Sequence, residues 1–202
     1  MFFVSPSLSK YSAPLSALAL IFAGVLISPT AIAIESLGYS VIETHGDIEI
    51  RRYEPHLLAT VEVDGEFEKA GNSAFRDLFN YIDGNNADSE KIAMTAPVIQ
   101  QPSTPGWKVS FVMPAAFDQS TLPEPLTDRV ILSPQPGMRA ATITYSGNWS
   151  QKRYLKHETQ LRAAVAKLDL NACDEPRFAR HNPPFWPSFL RKNEILLPLC
   201  EP

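Results

Sequence analysis

From Tyr39 to Thr44, and again from Ile48 to Tyr53, apolar and polar residues alternate on either side of His45-Gly46-Asp47. Alternation across a short turn is the pattern of a β-hairpin in which each strand buries one face. Pro55 closes the hairpin, and Leu57 to Val63 alternates again as a third strand. The period then changes. Phe67, Ala70, Ala74, Phe75, Leu78, Phe79 and Ile82 recur at steps of three and four, which places them on one helical stripe. Asp64 is the expected N-cap, Glu66 and Glu68 suit the positive end of the helix dipole, and Gly84 ends the helix in the manner of a left-handed C-cap. A short strand is expected at Ile92 to Thr95 before Pro97, a loop around Pro102 and Pro105, and a strand from Trp107 to Met113.

The order then repeats. After a stiff linker at Pro123 and Pro125, strands are expected at Val130 to Leu132 and Ala140 to Tyr145, around a turn at Pro136-Gly137. Ser150 caps a predicted second helix running to about Leu168, with Tyr154, Leu161, Val165 and Leu168 on one face. Arg177 to Arg180 and Glu194 to Leu199 read as closing strands, separated by the proline-rich loop Pro183-Pro184-Phe185-Trp186-Pro187. Two strand–helix–strand–strand units in tandem predict an α+β fold with pseudo-two-fold symmetry, each helix burying one stripe against a sheet.

The chain of 202 residues is the size of one domain, two at most. Its formal charge of −4 offers no basic stripe for nucleic acid. The first 33 residues read as a signal peptide. Lys10 is their only charge, an apolar run extends from Ala13 to Ile27, and Ala31-Ile32-Ala33 supplies the small residues of a cleavage site after Ala33. The apolar run is short for a membrane span, which favours cleavage over a retained anchor. Residues 34–202 are thus expected to form the mature domain, periplasmic or secreted, without a membrane span. Cys173 and Cys200 are the only cysteines. In an oxidising compartment they form either a disulfide or two separate buried thiols. If the closing strands pair antiparallel about Trp186, the two fall opposite each other, a placement that a one-residue slip of register would undo.

Three segments carry a resemblance. Lys91-Ile-Ala-Met-Thr-Ala-Pro-Val98 is similar to the signature of the SOUL haem-binding family. Gly38-Tyr39 through Tyr53-Glu54-Pro55 resembles that family's opening hairpin. Pro183-Pro184-Phe185 with Phe189-Leu190-Arg191-Lys192-Asn193-Glu194 resembles its closing segment. The landmarks stand in order over nearly all of Gly38 to Leu199. The resemblance implies a distorted β-barrel of two pseudo-symmetric βαββ repeats with two helices packed on the sheet, similar to small-molecule-binding domains of the GyrI type. It also implies haem or another tetrapyrrole as ligand, held without catalysis. One departure matters: a haem-binding relative carries an axial histidine in the first hairpin where this chain has Arg52, and a guanidinium, always protonated, cannot ligate iron. Binding in an apolar cleft, with basic residues meeting the propionates, remains the implied mode.

For that mode the candidate residues are Arg51, Arg52, Lys69 and Arg76 for propionates, Met94 (and Met113) as a soft axial ligand, and Phe111, Phe117, Trp149, Phe185 and Trp186 as cleft walls. His45, His56, His157 and His181 are the histidines available to iron, each with a plain structural alternative, and none has a second histidine at metal spacing. Arg191, Lys192, Asn193 and Glu194 are expected to hold the last strand against the proline-rich loop. No nucleophile elbow, Walker loop or H-E-x-x-H is present, so an enzyme acting on haem ranks below a carrier, buffer or scavenger. The alternative is a binding module of the same fold for another amphipathic small molecule or for a protein partner.

Overall fold

A computed structural model of the chain describes Met1 and residues 34–201. The predicted signal peptide and its cleavage point fall in residues 2–33, outside the described residues.

The first strand, β1 (Glu35–Ser36), is followed by the expected hairpin of β2 (Tyr39–His45) and β3 (Ile48–Tyr53), then β4 (His56–Val63) and the helix α1 (Phe67–Ile82). Next come β5 (Thr95–Ala96), β6 (Val98–Pro102), β7 (Trp107–Val112), β8 (Ile131–Gln135) and β9 (Met138–Ser146). The helix α2 (Gln151–Lys167) leads to β10 (Arg177–Arg180), a 3-10 turn at Ser188–Leu190, and β11 (Lys192–Pro198). Nine strands form one antiparallel sheet in the order β2-β3-β9-β11-β10-β6-β7-β4-β8, while β1 and β5 pair in parallel.

The order is symmetric about the β10–β6 pairing. One βαββ repeat is β4-α1-β6-β7 and the other is β9-α2-β10-β11, and each lies in the sheet with its first strand outermost. The strand preceding each repeat crosses to the other: β3 pairs with β9, and β8 pairs with β4. These exchanges knit the halves into a strongly curled half-barrel with two helices packed on it. The predicted α+β, pseudo-two-fold fold is therefore the one observed.

Each helix has its own core. Ala70, Ala74, Leu78 and Ile82 of α1 bury against Ala59, Val61, Val109 and Phe111. Tyr154, Leu161 and Val165 of α2 bury against Ile143, Ile195 and Leu197. A third group, including Leu58, Val112, Ala179 and Leu196, forms a separate cluster. The two helical cores join through aromatic rings, with Phe67 at 5.2 Å from Tyr154, 5.3 Å from Phe178 and 5.3 Å from Trp107. Such aromatic contacts add about 0.5–1.5 kcal/mol each to the area they bury.

Several local expectations differ from the structure: Phe75 and Phe79 of the predicted α1 stripe are exposed, and β2 buries no face. Val98–Pro102 is a strand, although its Gln100 interrupts the apolar alternation; that side chain is 1% exposed and donates to the Phe67 carbonyl at 3.0 Å. Ile92 is not in a strand: its amide donates to the Ile82 carbonyl at 2.8 Å and its side chain joins the α1 core, leaving only Thr95–Ala96 to pair. Glu66, not Asp64, is the N-cap of α1, and it makes no side-chain capping bond. Gly84 does end α1 with φ +104°, and Ser150 accepts from the Arg153 amide. Cys173 and Cys200 form a disulfide with Cα atoms 5.1 Å apart. The β10–β11 pairing, Arg177 opposite Leu196, continues through Ala172 opposite Leu199 and brings the cysteines together in the same register.

Candidate functional site

At the pseudo-two-fold junction, where β10 ends and β6 begins, the backbone leaves the sheet in the loop after Arg180 and in the turn before Val98. A cavity of about 460 Å³ opens there. Phe75 and Gly71 of α1 form one wall, Met94 and Val98 a second, and Trp149, Pro184 and Phe185 a third. Its size lies within the roughly 300–1,000 Å³ of small-molecule sites, and its lining is apolar with few polar groups, as such sites usually are.

One of those polar groups is a cation. Arg180, 7% exposed, lies on the same face of β10 as Phe178, where strand alternation calls for an apolar residue. Its guanidinium donates to Gln100 Oε1, and lies 5.0 Å from the Trp149 ring centroid and 5.1 Å from that of Phe178. Its Nε has no hydrogen-bond partner, and no carboxylate pairs with it among the described residues. Burial lowers its pKa to about 10, with the Tyr145 hydroxyl the only opposing influence. A buried, unpaired guanidinium is costly in a folded protein and suits an incoming carboxylate. Gly71 makes room for it: a Cβ at that position would collide with Arg180 Nη1.

The loop side of the cavity is braced. Trp149 Nε1 donates to Asn193 Oδ1 at 2.8 Å, and Asn193 Nδ2 donates to the Gly147 carbonyl at 3.0 Å. Arg191 stacks over Trp149 at 4.7 Å and donates to the carbonyls of Trp186 and Pro184. The Lys192 amide donates to Asn182 Oδ1 at 2.6 Å. Arg191 and Asn193 thus hold loop and strand together, as their order in the sequence predicts.

Glu194, on the opposite face of β11 from Asn193, centres a buried ionic network. It is 2% exposed and accepts from Arg51 Nη1 at 3.0 Å, Thr144 Oγ1 at 3.0 Å, Lys192 Nζ at 3.1 Å and His181 Nε2 at 2.7 Å. Burial alone would raise its pKa. The hydrogen bond and charge of His181, with Arg51 and Lys192, outweigh burial and hold the carboxyl well below the usual carboxylate range.

The structure brings Met94 and Phe185 to the cavity, together with Trp149. It places the other candidates elsewhere. Arg51 is buried in the Glu194 network, where Glu49 and Glu194 already pair with it. Arg52 is exposed, 3.6 Å from Glu201, and Lys69 pairs with Glu66 in solvent. Arg76 is exposed on α1, one residue from Phe75. Phe111 and Met113 belong to the α1 core, Phe117 borders a second cavity of about 440 Å³, and Trp186 stands beside the site as the carbonyl that Arg191 holds. Among the histidines, His45 is exposed beside Glu43, His56 donates from Nδ1 to the Glu54 carbonyl and lines the second cavity, and His157 stacks on Tyr145 at 4.0 Å. His181 lines the first cavity. Gly71, Phe75 and Arg180 were not among the expected site residues. The signals for two of them are a glycine inside a helix, at a cost of about 1 kcal/mol against alanine, and an arginine at a buried strand position.

Fold and site together define a pseudo-two-fold α+β half-barrel with an apolar cavity at the junction of its repeats. Residues 34–198 match the SOUL heme-binding protein family, and the chain belongs to it. Heme-binding protein 1 of Mus musculus is 28% identical over 183 residues, covering 82% of this chain and 93% of its own length. Heme-binding protein 1 of Xenopus tropicalis is 24% identical over 155 residues, covering 73% and 80%. Among solved structures, the C-terminal domain of EcmrR superposes with a TM-score of 0.57 at 11% identity, covering 81% of this chain and 98% of that one, a likeness of fold alone.

Proposed function

We propose that this protein is an exported, non-enzymatic tetrapyrrole carrier that holds haem in the cavity between α1 and the loop after β10. The observation that carries the reading is Arg180: a buried guanidinium with no carboxylate partner among the described residues, set in an apolar cavity of about 460 Å³, matches a flat apolar ring bearing carboxylate arms. Family membership and the relatives' names favour haem over other amphipathic acids. Phe75, Trp149 and Phe185 offer faces and edges to the ring, while Arg180 takes one propionate. Bound haem supplies the iron and its chromophore; the chain orients the ring and excludes water. Export is supported by the leader pattern in residues 1–33 and by the disulfide, which is characteristic of oxidising compartments.

Titration of the purified protein with ferric haem, followed at the Soret band, tests this. A saturable shift at one-to-one stoichiometry is expected. A linear, unsaturable response from folded protein would remove haem as the ligand and leave the cavity to another amphipathic acid.

A further inference from the structure

We infer that His181 is the residue that ligates the iron, with Glu194 as the buried carboxylate that fixes its tautomer; this rests on the tetrapyrrole reading above. Arg52 of the first hairpin, exposed and beside Glu201, is a guanidinium and cannot ligate iron. Any iron ligand must therefore come from elsewhere, and the structure separates the four histidines. His45 lies in an exposed turn, His56 borders the other large cavity, and His157 is stacked on Tyr145 over a third cavity bordered by Asp47. Only His181 lines the cavity that contains Arg180, and it follows Arg180 in sequence.

The tautomer follows from the partner. Glu194 Oε2 lies 2.7 Å from His181 Nε2 and accepts a hydrogen bond from it. Ligation takes a neutral imidazole: with Nε2 donating to Glu194, Nδ1 is the nitrogen that gives up any proton it carries and offers its lone pair, and either ring nitrogen serves as a metal ligand. His181 Nδ1 has no hydrogen-bond partner among the described residues. A metal-ligating histidine characteristically gives its other N–H to a carboxylate or carbonyl, which orients the ring and raises its basicity. Here the carboxylate is 2% exposed and itself fixed by three further side chains. Met94, a thioether that also lines the cavity, is the competing donor.

The test separates the ring from the iron. Metal-free protoporphyrin is bound through the cavity alone, so its affinity, read by fluorescence, is expected to change less than about threefold in His181→Ala. Ferric haem is expected to show a nitrogen-ligated electron paramagnetic resonance and Soret signature in the wild type. His181→Ala should lose that signature and at least about tenfold in haem affinity, since loss of a ligand's outer-shell partner alone costs about 10–100-fold. Added imidazole should restore the signature in the variant. Met94→Leu should leave it unchanged. A His181→Ala spectrum identical to the wild type, or loss of the signature in Met94→Leu instead, would overturn the assignment while leaving the cavity reading intact. Failure of the wild type to bind protoporphyrin or haem would overturn the reading beneath it. Circular dichroism of both variants guards against a folding defect, and Glu194→Gln, which retains the histidine, should keep the ligation with weaker haem affinity.

Discussion

Replacing Arg180 with methionine should make the empty protein more stable and the loaded one weaker. Burial lowers the Arg180 pKa from 12.5 to about 10. At about 1.4 kcal/mol per tenfold, that corresponds to an unfavourable desolvation on the order of 3 kcal/mol. Methionine keeps much of the volume and removes the charge, at the expense of an orphaned acceptor on Gln100, which costs about 1–3 kcal/mol when buried. The net expectation is a gain near 1 kcal/mol, or a rise in Tm of about 2–4 °C for a domain of this size. Adding Gln100→Leu removes part of the orphan's penalty, although the Phe67 carbonyl then loses its donor. Hydrogen bonds to a charged group contribute about 1.5–3 kcal/mol, so affinity for ferric haem should fall about 10–150-fold in Arg180→Met. Thermal and urea unfolding of the empty protein, with Soret titration of the same samples, measure both arms. An empty variant less stable than the wild type, with haem affinity unchanged, would show that Arg180 is a structural cation and refute the reasoning.

Gly71→Ala should forfeit the roughly 1 kcal/mol that alanine normally gains inside a helix, because its Cβ displaces the Arg180 guanidinium; urea unfolding and haem titration should show no added stability and weaker binding. Glu194→Gln should cost no more than about 3–5 kcal/mol at neutral pH, since buried Arg51 loses its buried charge partner and keeps only the part-exposed Glu49. Because the native Glu194 pKa is depressed, its contribution is complete above the ordinary carboxylate value of 4.5 and is lost as pH falls through the native value. The stability gap between wild type and variant should therefore be wider at pH 7 than at pH 3, and a constant gap would contradict the assignment. Replacing Cys173 and Cys200 by serine removes a crosslink spanning 27 residues and should lower stability by about 3.5 kcal/mol in denaturant unfolding under oxidising conditions.

Much of the fold was legible because it is written in local periodicity. The hairpin of β2 and β3 and the buried positions Phe67, Ala70, Ala74, Leu78 and Ile82 follow from alternation and stepping, whereas Phe75 and Phe79 of the same predicted stripe are exposed, and the choice between a disulfide and two thiols rested on the strand register that the structure supplies. Where a polar residue occupies a buried position the pattern fails. Gln100 hides β6 from the pattern, and Arg180 carries the signature of an ordinary strand position, although the two bond to each other across the β6–β10 pairing. The site is harder to read for a related reason. Met94, Phe185 and Trp149 are brought together by tertiary structure, whereas Arg51 and Lys69 offered the same charge in sequence and were already paired with Glu194 and Glu66 in the folded chain. A guanidinium's availability to a ligand depends on carboxylates distant in sequence, and alternation or spacing does not record it.

The most direct test of the central claim is a crystal structure of the protein with ferric haem. The account predicts the ring in the cavity of about 460 Å³, against Phe75, Met94 and Phe185, with a propionate on Arg180. A ring bound in the second cavity beside His56, or on the surface with Arg180 still without an anion, would contradict it.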